Sequence, residues 1–322
     1  MGNRSLTPFT REFENGRAAQ CLYVSKIEEP EAVAKALRLK KPEAVLLVSG
    51  GAKGLDTGAL KQLTALFSRG VARAAKERAA LIITGGTDTG VMAMMGRGLA
   101  DRGRAAPCIG VSPAEKVKAD RDSAADAAPL EPNHSHFVLV EGDKWGDETE
   151  MMYRLARHFA DGVPSVAVLA NGGSVTVKEV LYNVRQQRPV LLIEGSGRFA
   201  DKLAALWKAY QAQRAGKASA EEQALLKTLK DDPLLQEIVE EGKFTLFPLH
   251  GKAKDLQALL LETLPPTVID DKDLLREVWK QYAIFSETAK KRSAQFHAIR
   301  RIILWVGVLA VAFAVFSSSL DF

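Results

Sequence analysis

Cysteine is scarce in this sequence of 322 residues, which contains only Cys21 and Cys108. Two cysteines exclude a disulfide scaffold or a cysteine-rich zinc site and are typical of a protein from a reducing compartment. Histidine offers no metal site either, because His134 and His136 form a pair and zinc needs three or four ligands. The polar N-terminus lacks the apolar core of a cleavable signal peptide.

Strong charge of one sign is also absent, since the formal net charge is only +5. Basic residues cluster beside a C-terminal apolar segment, so we expect no nucleic-acid partner. A hydrophobic content of 47% is ample for a core. Apolar strand-like runs alternate with helical periodicity, which predicts an α/β fold with a doubly wound parallel sheet.

Three stretches carry more specific expectations. Residues 20–24 are predicted to form an edge strand, and residues 57–80 show the apolar spacing of one helix. Residues 112–133 are polar and alanine-rich, and we expect a long mobile loop there, either a lid over a site or a surface insertion.

The segment from Leu81 to Val91 is a short apolar run, a glycine-rich turn and the start of a helix. That order presents backbone N–H groups to a phosphate at a helix N-terminus, and glycine permits the close approach. The alternative is a tight turn without a ligand. The candidate ligand-binding residues in this turn are Thr84, Gly85, Gly86, Thr87, Thr89 and Gly90.

Three further apolar runs end in turns of small residues. In a parallel sheet such turns gather at the carboxyl edge, where ligands bind. Four converging turns therefore favour a ligand site over four coincidental tight turns. The additional candidates are Gly50, Gly51, Ala52, Asn171, Gly172, Gly173, Thr176, Glu194, Gly195, Ser196, Gly197 and Arg198.

The C-terminal part differs in character. Residues 270–301 have helical apolar spacing, which indicates either a homo-oligomerising stripe or packing against the first domain. Residues 302–316 are an uninterrupted apolar run, and residues 317–320 extend it to 19 residues, near the length that spans a bilayer, although a buried helix is the alternative. Its N-terminal flank is basic, which predicts a single pass in the inner (plasma) membrane with a cytoplasmic N-terminal domain. The predicted divisions are thus residues 1–265, 266–301 and 302–320.

Several separated motifs resemble, in order, the N-terminal homology region of the melastatin-type TRP channels, a part of the SLOG superfamily. They are ITGGTDTGVM, HSHFVLVEGD, VLANGGSVTVKEVLYNVRQQRPVLLIEGSGRFAD and FTLFPLHGKAKDLQALLLETL. The resemblance implies a Rossmann-like fold that binds a nucleotide-derived ligand, such as ADP-ribose, cyclic ADP-ribose or a cyclic nucleotide, without an obligatory cofactor. It carries ligand contacts onto the Thr84–Gly90 turn, Arg154 and the Gly195–Arg198 turn.

The segment 270–322 is similar to the start of a SLATT module, a small helical membrane unit fused to bacterial SLOG domains. SLATT modules usually have at least two spans, and one is visible here. The similarity implies a sensor joined to a membrane effector, either in prokaryotic antiviral defence or as a precursor of a melastatin-like channel.

A different branch of the SLOG superfamily, the lonely-guy phosphoribohydrolases, carries the pattern PGGxGTxxE. The stretch from Asn171 to Glu179 matches its two glycines, its threonine and its glutamate, while Asn171 replaces proline and Val175 replaces glycine. A carboxylate at Glu179 would suit N-glycosidic cleavage. Glu179 is therefore the candidate catalytic residue under this alternative, and a helix N-terminal charge otherwise.

Overall fold

The computed structural model describes residues 6–51, 53–118 and 127–266, together with Trp279 and Ser286. The chain divides into two compact units, Met1–Thr267 and Val268–Phe322. The described residues of the first unit form an α/β fold of the Rossmann-like type. The strands of its main sheet are β1 Phe9–Glu12, β2 Ala18–Val24, β3 Ala44–Gly50, β4 Ala80–Thr84, β5 Cys108–Pro113, β8 His136–Val140, β9 Ser165–Ala170, β10 Val190–Glu194 and β11 Phe244–Pro248, and a separate pair is β6 Val117–Lys118 with β7 Ala128–Pro129.

The nine strands lie in the order β1-β2-β8-β5-β4-β3-β9-β10-β11. All neighbours are parallel except β1 and β2, which are antiparallel. The prediction of an edge strand at residues 20–24 is wrong, because β1 covers that edge and β2 lies inside the sheet. A turn at Asn15-Gly16 reverses the chain between them, with Gly16 at a φ of 72°.

Helices cover both faces of the sheet, which is why the central strands are continuous apolar runs. One face carries α1 Pro30–Ala36, α5 Thr149–Phe159, α6 Ser174–Arg185, α7 Arg198–Arg214 and α9 Pro233–Glu241. The other carries α2 Thr57–Ala65, α3 Ala72–Glu77, α4 Gly90–Ala100 and α10 Ala253–Thr263. The helix α8 Ala220–Lys227 follows α7.

The predicted helix over residues 57–80 is interrupted. Between α2 and α3 the backbone forms a π-helix at Leu66–Val71, and α3 ends at Glu77. Gly70 accounts for the close packing there, because a Cβ on it would lie 3.0 Å from the carbonyl oxygen of Ala253. Tertiary packing against α10 therefore shapes a segment whose own periodicity suggests a regular helix.

The topology reverses beside β3. The chain proceeds from β3 to β4 and β5 in one direction, and later from β9 to β10 and β11 in the other. The carboxyl ends of β3 and β9 therefore flank a topological switch point, where open α/β sheets leave a crevice.

Other expectations concern the 112–133 stretch and the C-terminus. Part of the 112–133 stretch is ordered as the end of β5, a short 3-10 turn and the β6–β7 pair, while residues 119–126 lie outside the described residues. Within the described part of the chain, no helix has the length and apolar character needed to cross a bilayer. The predicted span at 302–320 and nearly all of the predicted 270–301 helix lie outside that part.

Candidate functional site

Asn171 holds the turn after β9 and is buried, with a φ of 60°. Its side-chain nitrogen Nδ2 donates to the carbonyl of Ser196 at 2.7 Å and to that of Lys53 at 3.2 Å. Its backbone nitrogen donates to Ser196 Oγ at 2.7 Å. Asparagine tolerates positive φ, so it can turn the chain and bond at the same time. One residue thereby joins the turns after β3, β9 and β10.

The turn after β3 approaches β9 closely. Gly50 has a φ of 116°, and a Cβ there would lie 1.9 Å from the carbonyl oxygen of Ala170. The backbone nitrogen of Gly51 donates to the same oxygen at 3.0 Å. Gly50 is thus required for packing at the switch point, whether or not a ligand binds. The third candidate in this turn, Ala52, lies outside the described residues.

The turn after β10 is satisfied from within the protein. The backbone nitrogens of Gly195 and Gly197 donate to the two carboxylate oxygens of Asp201 at 2.7 and 3.0 Å. Glu194 forms an ion pair with Lys208. The amides of these two predicted ligand-binding glycines therefore already have an anionic partner in this structure.

Arg198, the first residue of α7, is exposed and projects toward the neighbouring turn. A Cβ placed on Gly173 would lie 3.1 Å from the guanidinium nitrogen Nη2 of Arg198. Gly173 is the residue that precedes the first turn of α6. Among the described residues this guanidinium has no hydrogen-bond or ion-pair partner. An unpaired arginine beside a helix N-terminus is a favourable arrangement for a phosphate.

The turn after β4 lies at the same edge but is bound to a different segment. Asp88 donates its backbone N–H to the carbonyl of Pro129 at 2.8 Å, and Gly86 accepts from the backbone of Glu131 at 2.9 Å. The hydroxyls of Thr87 and Thr89 bond each other at 3.0 Å. Residues 129–131 therefore cover part of the Thr84–Gly90 turn, where Thr84, Gly86 and Thr87 are buried, while Thr89 stays exposed.

A buried polar chain fixes this cover in place. Thr84 Oγ1 lies 2.8 Å from His134 Nε2, and His134 Nδ1 lies 2.7 Å from Glu131 Oε2. All three side chains are buried. The absence of a side chain at Gly96 of α4 provides the space for the Glu131 carboxyl, because a Cβ at that position would lie 2.0 Å from a carboxyl atom of Glu131. His134 thus hydrogen-bonds the end of β4, and Thr84 Oγ1 belongs to this buried chain.

Glu179 of α6 lies close to the glycine turns. The hydroxyls of Ser49 and Thr176 hydrogen-bond its carboxyl, and Thr176 Oγ1 also accepts from the backbone nitrogen of Gly173 at 3.1 Å. Burial, with the charge of Glu148 adding to it, raises the pKa of Glu179 to about 7. The side chain of Glu179 is half-buried.

Glu148, the residue just before α5, and Tyr153 within α5 extend the polar cluster. Burial raises the pKa of Glu148, whose Oε2 accepts from the backbone nitrogen of Gly146 at 2.7 Å. The hydroxyl of Tyr153 lies 3.5 Å from Ser49 Oγ and accepts from Asn183 Nδ2 at 3.0 Å. Burial raises the pKa of that phenol also. Oxygen-bearing side chains from β3, α5 and α6 thus meet behind the turn.

Arg154 is not joined to the glycine turns by its contacts. Its guanidinium lies 3.2 Å from Glu29 Oε1 and 3.4 Å from the carbonyl of Lys26, on the α1 side of α5. There it lines a groove of about 660 Å³ that also includes Arg157 and His158. The helical neighbour Tyr153, rather than Arg154, faces the turn cluster.

Sequence reasoning missed Ser49, Trp145, Glu148 and Tyr153. Ser49 is the penultimate residue of β3, and Trp145 and Glu148 lie between β8 and α5 at the same edge of the sheet. The side chain of Trp145 is 48% exposed, although a tryptophan is usually well covered. For Ser49, Trp145 and Glu148 the available signal was a polar or aromatic residue at or after a strand end, whereas nothing local singles out Tyr153 within α5.

These features define a Rossmann-like α/β domain in which the turns after β3, β9 and β10 gather at the switch point, together with an arginine, Arg198, that has no partner among the described residues. The comparison with protein families agrees with this class. A family model described as SLOG in TRPM, prokaryote, matches residues 43–255. Because the match covers more than half of the chain, the chain belongs to this family.

Curated relatives are much longer proteins. The transient receptor potential cation channel subfamily M member 2 of Mus musculus is 28% identical, over 52% of this chain and 13% of the relative. The subfamily M member-like 2 protein of Nematostella vectensis is 31% identical over the same shares. The channel trpm of Drosophila melanogaster is 28% identical, over 69% of this chain and 12% of the relative. The chain thus matches about one eighth of each relative.

Proposed function

We propose that this chain is a sensor that binds a nucleotide-derived signal at the carboxyl edge of its sheet. The ligand class is ADP-ribose, cyclic ADP-ribose or a cyclic nucleotide. The observation that carries the proposal is the unpaired guanidinium of Arg198 over Gly173, beside the N-terminus of α6 and within the turns that Asn171 joins. Arginine binds phosphate oxygens in a bidentate manner, and a helix N-terminus favours an anion.

Trp145 supplies a surface for the other end of such a ligand. Trp145 is exposed and precedes Gly146 in the chain. A Cβ placed on Gly146 would lie 3.8 Å from the side chain of Val175, so this segment runs beside the start of α6. An exposed indole beside a phosphate site offers a face on which a base can stack.

Calorimetric titration of ADP-ribose into the wild type and the Arg198→Ala variant tests this proposal. Losing one charge-assisted contact should weaken binding by about tenfold to a hundredfold, which corresponds to about 1.5 to 3 kcal/mol. Arg214→Ala is the matched control, since it removes the same charge from the opposite end of α7. Equal affinities of the wild type and both variants would refute the role of Arg198.

The wider role we propose is a homo-oligomeric membrane sensor, in which the 270–301 segment passes the signal to a membrane span at 302–320. The support is the length of the apolar segment and its basic flank, together with the names of the relatives, which are cation channels. Fractionation of cells expressing the full chain, and of cells expressing a chain ending at residue 301, tests the anchor. Equal partition of both chains into the soluble fraction would refute it.

A second candidate function is hydrolysis of a nucleotide N-glycosidic bond. The observation that favours it is Glu179, whose pKa of about 7 suits general acid–base work next to the glycine turn. Hydrolysis would add water across the C1′–N bond, with the hydroxyl going to the sugar and the proton to the base. Chromatography of nucleoside monophosphates after incubation separates the candidates. Free base and sugar phosphate from the wild type, but not from Glu179→Gln, would establish the enzyme, and intact nucleotide would refute it.

A further inference from the structure

The two edges of the parallel sheet carry opposite charge. Among the described elements, the connections that run from a helix into the next strand lie at the amino edge, and they hold eight basic residues and three acidic ones. The connections that run from a strand into the next helix lie at the carboxyl edge, and they hold four basic residues and eight acidic ones. The first set is 37–43, 78–79, 101–107, 160–164, 186–189 and 242–243, and the second is 25–29, 51–56, 85–89, 141–148, 171–173, 195–197 and 249–252.

Some of the amino-edge cations serve the fold itself. Arg78 donates to the carbonyl of Leu261 at 3.1 Å. Arg104 donates to the carbonyl of Pro132 at 2.7 Å. Arg188 is buried. These side chains are held within the protein, so a partner would meet other cations at this edge.

Exposed cations concentrate where α1 and α5 end. None of them forms an ion pair with another residue that the structure describes. The exposed acids of the same stretch are Glu31, Glu43 and Asp161, which leaves the cations in excess. We call the following exposed residues the α1–α5 basic patch: Lys35, Arg38, Lys40, Lys41, Arg157 and His158.

The patch adjoins the groove of about 660 Å³ between α1 and α5. Lys41 and Arg157 line this groove, together with the apolar side chains of Leu39 and Phe159. Lys41 reaches the connection that follows α5, because a Cβ placed on Gly162 would lie 3.7 Å from its Nζ. The segments that follow α1 and α5 therefore bring their cations to one surface, beside a space that can admit a phosphate-bearing group.

The first unit also ends at the amino edge. Helix α10 follows β11 and returns along the sheet, and near its end the carbonyl of Leu261 accepts from Arg78, two residues before β4. The chain continues from there toward the basic residues and the apolar segment 302–320. The point at which the chain leaves the first unit and the α1–α5 basic patch thus share one edge of the sheet.

We propose that the amino edge, through the α1–α5 basic patch, docks on the anionic lipid surface of a membrane. The proposal rests on the membrane role proposed above and adds an orientation to it. Basic side chains close to an anionic leaflet are attracted to it, whereas the acidic carboxyl edge is repelled. Docking in this sense keeps the candidate ligand site facing away from the membrane, where a soluble nucleotide can reach it.

Lysine labelling of the full chain on vesicles tests this docking. The vesicles contain phosphatidylcholine alone or with phosphatidylserine, and mass spectrometry follows the reaction of each lysine with an amine-reactive reagent. Lys35, Lys40 and Lys41 should react about fivefold more slowly on the anionic vesicles. Lys53 and Lys144 are exposed at the carboxyl edge and should react equally on both. Salt at about 1 M should remove the difference, because it screens charges beyond about 3 Å.

A double variant assigns the attraction to the patch. Replacing Lys40→Gln and Lys41→Gln together removes two exposed charges, which should weaken the docking by about thirtyfold and restore the labelling of Lys35 on anionic vesicles. The matched control replaces Lys252→Gln and Lys254→Gln, because it removes the same charge from exposed positions at the carboxyl edge. That control should leave the protection of Lys35 unchanged.

Sedimentation of the same mixtures separates this inference from the membrane anchor. Binding to both vesicle types, with equal labelling of the patch lysines on both, would overturn the docking and leave the anchor intact. Binding to anionic vesicles alone, with the patch protected, would support the docking and refute the anchor. Equal protection of lysines at the two edges would overturn the orientation. Stronger protection of the patch by duplex DNA than by anionic vesicles would overturn the choice of lipid as the partner.

Discussion

Replacing Gly50 by alanine should strongly destabilise the domain. Gly50 ends β3 with a φ of 116°, a region that side chains rarely occupy, and this backbone strain costs about 1 to 3 kcal/mol. The new Cβ would also lie 1.9 Å from the carbonyl oxygen of Ala170, so β3 or β9 must shift. The shift breaks the bond from Gly51 to the same oxygen, at a further cost of about 1 kcal/mol.

Together these effects predict a loss of about 2 to 4 kcal/mol in the free energy of unfolding for Gly50→Ala. For a domain of this size such a loss lowers the midpoint of thermal unfolding by roughly 10 °C. Calorimetry or circular dichroism of the full chain measures the midpoint. Any ligand should be absent, because binding to the native state would mask part of the loss.

The neighbouring variant Gly51→Ala is the control. A Cβ on Gly51 would lie 3.7 Å from Asn171 Oδ1, which is an ordinary contact, and its φ is not positive. Its unfolding midpoint should move by less than about 3 °C. If Gly50→Ala unfolds at the same temperature as Gly51→Ala, the close approach of β3 and β9 at the switch point is wrong.

Two further predictions concern polar groups at the site. Asn171→Asp should lower the free energy of unfolding by about 3 kcal/mol or more, because a carboxylate would replace the donor that faces the carbonyls of Ser196 and Lys53. Urea unfolding measures this loss. A stability equal to that of the wild type would contradict the hydrogen bonds described for Asn171. For Glu179 the folded pKa of about 7 lies above the ordinary 4.5, so the folded state holds a proton that the unfolded state has lost. Its contribution therefore falls as pH rises from about 4.5 to about 7, by at most about 3 kcal/mol. Urea unfolding near pH 5 and near pH 8 should show this fall in wild type but not in Glu179→Gln, and parallel curves would disprove the raised pKa.

The sequence determined the main elements because their causes are local. Buried parallel strands are apolar and β-branched wherever they lie, and a strand that turns sharply into a helix needs glycine or asparagine. The carboxyl-edge turns at Gly50, Gly85, Asn171 and Gly195 could therefore be located from the chain alone. The antiparallel edge strand at residues 9–12 could not, because its partner depends on a reversal at Gly16 that a short polar segment barely signals.

Tertiary structure decided which turns act together and which side chains carry charge. Asn171 bonds residues 118 and 25 positions away, and no local pattern specifies those partners. The sequence predicts that the Thr84 turn contacts a ligand, but no local pattern predicts that Glu131 and His134, from a distant segment, hydrogen-bond Thr84 in a buried chain. The raised pKa of Glu179 likewise comes from burial and from Glu148 on another helix. Most of the backbone conformation follows from neighbours in sequence, with the π-helix at Leu66–Val71 as an exception, whereas burial and charge balance depend on neighbours in space.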